Sequence, residues 1–392
     1  MHGKSKPGVI SRGIKTPIIM PGDDVVKIVV DSVIETVGVE AIQDKDAIGT
    51  TEAVVAIGQN NIVSQAEVIK DLESKFAGAN TIAVVDPIQS RNRFMAILKA
   101  VAAMPSINNV YVVMTYPTDE VGNRLVSEEI MMESGVNPYR DVLSQEAFYE
   151  KLGKPCHPFT GKDYMEMYKE ICGEKGTIIM CNDFAQIPAI CSDILVCSIH
   201  RRAMVKKILL KNGATRVLDL SEIMNAPVDG SSGYNKDFGL YGSNIQDGDN
   251  LKLMPRDCDK FVKDVQAEMF KRTGKNVEAY VFGDGAFKDP VGGIWELADP
   301  TTTPGATEGL MGTPEEVKLK FIASQHKGKS KEEIEKIVAE EKAARKAAKD
   351  ITESASLGTT PRQITDLISS LSDLTTGSGD RQTPVVLVQN YL

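Results

Sequence analysis

The sequence is poor in the side chains that soft metal sites require. Its 392 residues include six cysteines and four histidines, and no two cysteines form a C-x-x-C pair. Zinc-site and thioredoxin-type readings therefore lack support. The cysteines (Cys156, Cys172, Cys181, Cys191, Cys197, Cys258) sit mostly in apolar runs and read as buried thiols. Any metal is expected to be hard and oxygen-bound, such as magnesium or manganese. Positive charge is also in short supply: 45 Lys and Arg face 54 Asp and Glu, for a net charge of -9. A general nucleic-acid binder needs a basic surface, so nucleic acid is not an expected partner. A nucleotide held through a divalent metal stays open. No apolar run approaches bilayer length. The basic start, MHGKSKPGVISRGIKTP, lacks the apolar core of a signal peptide. A cytoplasmic location away from membranes is the expectation. Neither a glycine-rich dinucleotide fingerprint nor a Walker-type phosphate loop occurs.

What is present points to an α/β protein. Hydrophobic residues at 42% and charged ones at 25% are ordinary for a soluble globular chain, and the length suggests two domains. The runs TIAVVD, RNRFMAILKAVAAM and VYVVMTYP alternate strand, helix, strand. GTIIMCND, a helix through IPAICSDILVCSIHRRAMVKKILLKNG, and TRVLDLSEI repeat the pattern. Continuous apolar strands with intervening helices indicate a parallel or mostly parallel sheet. Residues 325–350 carry mixed charges at helical spacing and read as a solvated helix.

Three stretches offer chemistry. In NVEAYVFGDGAFKDPVGGIWELADP a β-prone run breaks at Gly283-Asp284-Gly285, which presents a carboxylate at a strand end. That is a suitable place for a metal ion, although Asp-Gly is also an ordinary turn. Thr50, Thr51 and Glu52 follow a second expected strand, where hydroxyls and backbone donors suit phosphate oxygens. Near the end, an amphipathic helix leads through Thr376, Gly377, Ser378 and Gly379 to the strand PVVLVQ. This small-residue loop suits phosphates, and its glycines equally suit a helix C-cap. Residues 228–250, rich in Gly, Ser, Asn and Asp, read as a long loop of the kind that often carries function. In TPIIMPGDD, a short strand and a Pro-Gly turn lead to Asp23 and Asp24, whose carboxylates suit the positive end of the next helix, and Asp24 reads as its cap.

Five of these pieces, in order, resemble the coenzyme F-420 γ-glutamyl ligase family: TPIIMPGDD, DKDAIGTTEAVVAIGQ, GLYGSNIQDGDNLKLMPRDCDKFVKDVQAEMFKRTG, VFGDGAFKDP and TDLISSLSDLTTGSGDRQTPVVLVQ. They cover about half the chain. The resemblance implies an α/β fold (an α+β mixed-sheet core) from residues 1–80 and 226–392, with residues 81–225 as an inserted α/β domain. It implies a GTP-dependent (or ATP-dependent) ligase that uses Mg2+ or Mn2+ to join L-glutamate to a carboxylate acceptor, F-420-0 or a folate-like metabolite, through an acyl phosphate. A homodimer is also implied. Pro17, Ile18, Ile19, Thr50, Thr51, Glu52, Asn244, Thr376, Gly377, Ser378 and Gly379 fall at nucleotide positions. Asp284 falls on a catalytic metal aspartate, and Gly285 on a position where the family has a metal-binding hydroxyl. The family's other metal aspartate is Tyr241 here, and a nucleotide-contacting lysine falls near Ile57. Asp237, Asp257, Asp289 and Asp299 are candidates to replace the missing carboxylate, with Asp289 nearest in sequence to Asp284. The alternative is a non-catalytic nucleotide- or metabolite-binding protein that retains the fold.

Overall fold

Apolar runs bounded by turn residues build one mixed sheet and one mainly parallel sheet. The computed structural model describes residues 7–89, 94–120, 122–158, 161–199, 201–230, 233–283, 286–288, 295–297, 302–312, 319–347, 363–376 and 382–392. The chain enters on β1 (Ile10–Ile14) and reaches α1 (Val25–Val37), whose first turn is capped by the Asp24 carboxylate accepting from the Lys27 amide at 3.0 Å. The strand thus lies upstream of TPIIM, and residues 15–20 run on without ladder pairing. Pro17 lacks the amide N–H that a ladder position requires. Strand β2 (Ala47–Thr51) passes directly into α2 (Glu52–Gly58), so Thr50 and Thr51 end the strand rather than follow it and Glu52 opens the helix. A two-residue strand, β3 (Ile62–Val63), precedes α3 (Gln65–Lys75), which opens with a capping box between Ser64 and Glu67.

The second sheet follows. Its elements are β4 (Thr81–Val85), α4 (Phe94–Ala102), β5 (Asn109–Met114), α5 (Glu128–Ser134), β6 (Leu143–Ser144), α6 (Gln145–Leu152), α7 (Tyr164–Cys172), β7 (Gly176–Met180), β8 (Asp193–Val196), α8 (Arg202–Lys211) and β9 (Arg216–Asp219). The spatial order is β6-β7-β5-β4-β8-β9, parallel except for the β6 edge. Helices α3, α4 and α7 cover one face and α8 the other. The segment expected as one long helix instead holds a 3-10 turn, β8 and α8. Short apolar runs cannot be assigned by periodicity alone, and Ile194, Leu195 and Val196 find a parallel partner in β4.

The chain then returns through the hairpin β10 (Asn244–Asp247) and β11 (Asn250–Lys252), which pairs with β3. Next come α9 (Cys258–Thr273), β12 (Glu278–Gly283), the short pair β13 (Ala286–Lys288) and β14 (Trp295–Leu297), and β15 (Thr302–Ala306). Helices α10 (Leu319–Gln325), α11 (Lys331–Ala347) and α12 (Ile364–Thr376) lead to the last strand, β16 (Val385–Gln389). The mixed sheet has the order β1-β16-β2-β12-β15, and β2–β12 is its parallel pair. Val29, Val30 and Val33 of α1 and Val262, Val265 and Met269 of α9 cover one face. Ile368 of α12 covers the other, against Tyr280, Phe282, Val386 and Val388. Each such side chain contributes about 1.5–3 kcal/mol on full burial, which explains why distant segments converge on this sheet. No helix among the described residues is long and apolar enough to cross a membrane.

Candidate functional site at the strand ends

Register brings the sequence-predicted segments to one edge of the mixed sheet. β12 runs parallel to β2 with Val281 beside Thr50 and Phe282 beside Thr51, so both strands end together. β16 is antiparallel, and its first residue, Val385, pairs with both Thr50 and Ile14. Residues following β1 therefore leave the sheet at that same edge. The Thr51 amide donates to Pro384 O at 2.9 Å, and the Thr383 hydroxyl donates to Thr376 O at 3.3 Å. The flanks of the small-residue tail loop are thereby tied to the end of β2.

The individual side chains differ in what they offer. Thr50 is buried and Thr51 half-buried, and Ile18 stands 81% exposed beside an exposed Pro17. Ile19 packs into the core beneath α1, so only its backbone is available to a ligand. Glu52 is buried and takes both carboxylate oxygens to the Lys252 ammonium, at 2.8 and 2.6 Å. Lys252 is the cross-strand partner of Asn244, which links that asparagine to the end of β2 through one ion pair. A Cβ on Gly283 would lie 2.4 Å from Glu52 Cγ, so a glycine is required where β12 passes over the pair. Asp284 is the next residue in the chain. Asp284, Gly285, Asp289 and Asp299 lie outside the described residues, as do Gly377, Ser378 and Gly379. Among the described residues, no three His, Cys, Asp or Glu side chains gather to hold a metal.

The substituted positions are explained by packing. Tyr241 is buried, its hydroxyl donates to Ser198 O at 2.7 Å, and Arg202 stacks 4.9 Å from its ring. Burial pushes this phenol far above its ordinary pKa, so it stays neutral and fastens the 233–243 segment to the parallel-sheet unit. Ile57 packs against the α1 cluster. Asp237 and Asp257 are exposed. No local sequence signal marks Lys252. It stands between Leu251 and Leu253, a spacing that ordinarily marks a solvent-facing strand position, and its partner is 200 residues away.

Fold and site together define an α/β protein in which Thr50, Thr51 and the flanks of the tail loop lie at the carboxyl ends of a parallel strand pair. The family model described as F420-0:gamma-glutamyl ligase matches residues 13–390, and the chain belongs to this family of ligases. No curated protein gives a significant match.

Proposed function

We propose that the chain is a γ-glutamyl ligase that adds L-glutamate to F-420-0 or a related carboxylate acceptor, with GTP (or ATP) as the phosphoryl donor and magnesium or manganese as the cation. Family membership is the observation that carries this reading. The gathering of Thr50, Thr51 and the flanks of the tail loop at one sheet edge supports it, with Asn244 linked to that edge through Lys252 and Glu52.

In this reading the acceptor carboxylate attacks the γ-phosphorus and the nucleoside diphosphate leaves. The glutamate amine then attacks the acyl carbon, phosphate departs and the amine proton passes to solvent. The chain's contribution is positional and electrostatic. Thr51, at the mouth above the buried Thr50, and the tail loop cradle phosphate oxygens, and Asn244 holds the nucleoside. Because Lys252 already neutralises Glu52, cation binding falls to Asp284 and Asp289 rather than to Glu52. A hard divalent ion there supplies charge neutralisation between the nucleotide phosphates and the acceptor carboxylate. The active form is a homodimer, to be checked by light scattering at micromolar concentration.

Tyr241 and Ile57 favour one competing reading, a non-catalytic nucleotide or metabolite binder, because neither offers charge to a ligand. Calorimetry paired with phosphate release separates the two. The ligase reading expects metal-dependent GTP or ATP binding and phosphate release that requires both glutamate and acceptor. Binding without release by folded protein would favour the binder.

A further inference from the structure

The parallel sheet carries a second polar site, remote in sequence from the strand-end site. At the carboxyl ends of β4, β5 and β7 a recess of about 240 Å3, its mouth included, opens between Gln89, Met114, Met180, Leu125, Pro155, His157 and residues 162–165. Doubly wound sheets bind ligands beyond the carboxyl ends of their strands, and the order β7-β5-β4-β8-β9 is of that kind. The decisive observation is Gln89. Its side chain lines the recess and is 0% exposed, and neither its Nε2 nor its Oε1 has a hydrogen-bond partner among the described residues. Its backbone is held in place, the amide donating to Glu120 Oε2 at 2.8 Å. Buried side-chain amides are almost always paired, and leaving both ends unmet is costly. A buried donor and acceptor side by side on one planar group therefore ask for a complementary planar group.

We infer that this recess binds a small molecule through a carboxamide head group, a primary amide or ring lactam. Such a group accepts from Gln89 Nε2 and donates to Gln89 Oε1 in one plane. A carboxylate can only accept, and would leave Oε1 unmet. The thioether side chains of Met114, Met165 and Met180 supply an adaptable apolar wall for the body of the ligand. Size excludes a nucleotide: the enclosed inner part has room for about one water molecule, so the head group enters by displacing that water and the rest of the ligand stays in the mouth.

The test uses the full chain without nucleotide, acceptor or metal, and so does not depend on ligase activity. Nicotinamide and propionamide are the amide probes, with nicotinate and propionate as their acid counterparts, followed by ligand-observed NMR and calorimetry. The expected result is binding of at least one amide, at least tenfold tighter than its acid counterpart. Gln89→Leu should abolish that binding and leave the circular dichroism unchanged. Leu125→Trp, which fills the recess and leaves residue 89 unaltered, should also abolish it and serves if Gln89→Leu does not fold. Absence of amide binding at millimolar concentration, the mark of a recess that holds only water, overturns the inference. Equal binding of acid and amide, or binding unaffected by both variants, overturns it too.

Discussion

At the scale of single residues, Lys252 and Glu52 have the most to lose. Both are buried, with 5% and 10% of their side chains exposed, and each satisfies the other. Lys252→Met should cost about 3–5 kcal/mol in urea denaturation, since it strands a buried carboxylate. The Glu52→Gln, Lys252→Met double variant should recover a large part of that loss. Equal stability of single and double variants would show that the pair does not act as a unit. Asp284→Asn should weaken metal-dependent nucleotide binding by about ten- to a hundredfold, about 1.4–2.8 kcal/mol, with the fold intact. Unchanged affinity would return this residue to the role of a turn. Thiol chemistry gives a third check. Burial pushes Cys172 and Cys258 up to about 12 and Cys181 to about 11, and it raises Cys191 and Cys197 as well. Cys156 alone is exposed. A native-state thiol titration near neutral pH should show one fast group of six, because only the thiolate reacts. Asp284 stood out in the sequence by its place at a strand end. Lys252 was invisible, because its burial depends on a residue in another part of the chain.

Among elements, the mixed sheet is sensitive to close approaches on its α12 face. A Cβ on Gly49 would lie 2.6 Å from Tyr280 Cζ, in a ring whose hydroxyl already bonds Ser372 of α12. Gly49→Ala should therefore destabilise by about 1–3 kcal/mol through overpacking. A neutral or stabilising effect in denaturation would contradict this packing. The end of β9 carries a pH dependence. Burial alone would raise the Asp219 carboxyl, but the Ser221 hydroxyl and amide and the Lys206 ammonium, the last at 3.0 Å, outweigh it and hold the group below its ordinary range. A lowered folded pKa gives stability that is present above the unfolded value of about 4 and lost as pH falls through the folded one. Asp219→Asn should lower the urea midpoint at neutral pH and show a shallower fall than the parent in acid. An identical acid slope would exclude this role. Most elements were legible because their apolar periods were long or their caps explicit, as at Asp24 for α1. Strand β8 was not: its four residues lie inside a longer apolar run, and only pairing with β4 makes them a strand. The register that gathers the strand ends was equally out of reach, since it follows from strand order rather than from any local motif.

For the whole molecule, residues 233–253 tie the two sheets together, and Tyr241 is one anchor of that contact. Tyr241→Phe removes the bond to Ser198 O and should cost about 0.5–1.5 kcal/mol without changing metal affinity. Loss of metal binding in this variant would assign the phenol to the site. The central claim is that the gathered strand ends form a ligase site. The most direct measurement is mass spectrometry of F-420-0 incubated with L-glutamate, magnesium or manganese, and GTP or ATP in the presence of the folded chain. The account predicts an acceptor heavier by one glutamyl residue, formed only when nucleotide and metal are both present. An unmodified acceptor under every nucleotide and metal combination would contradict it.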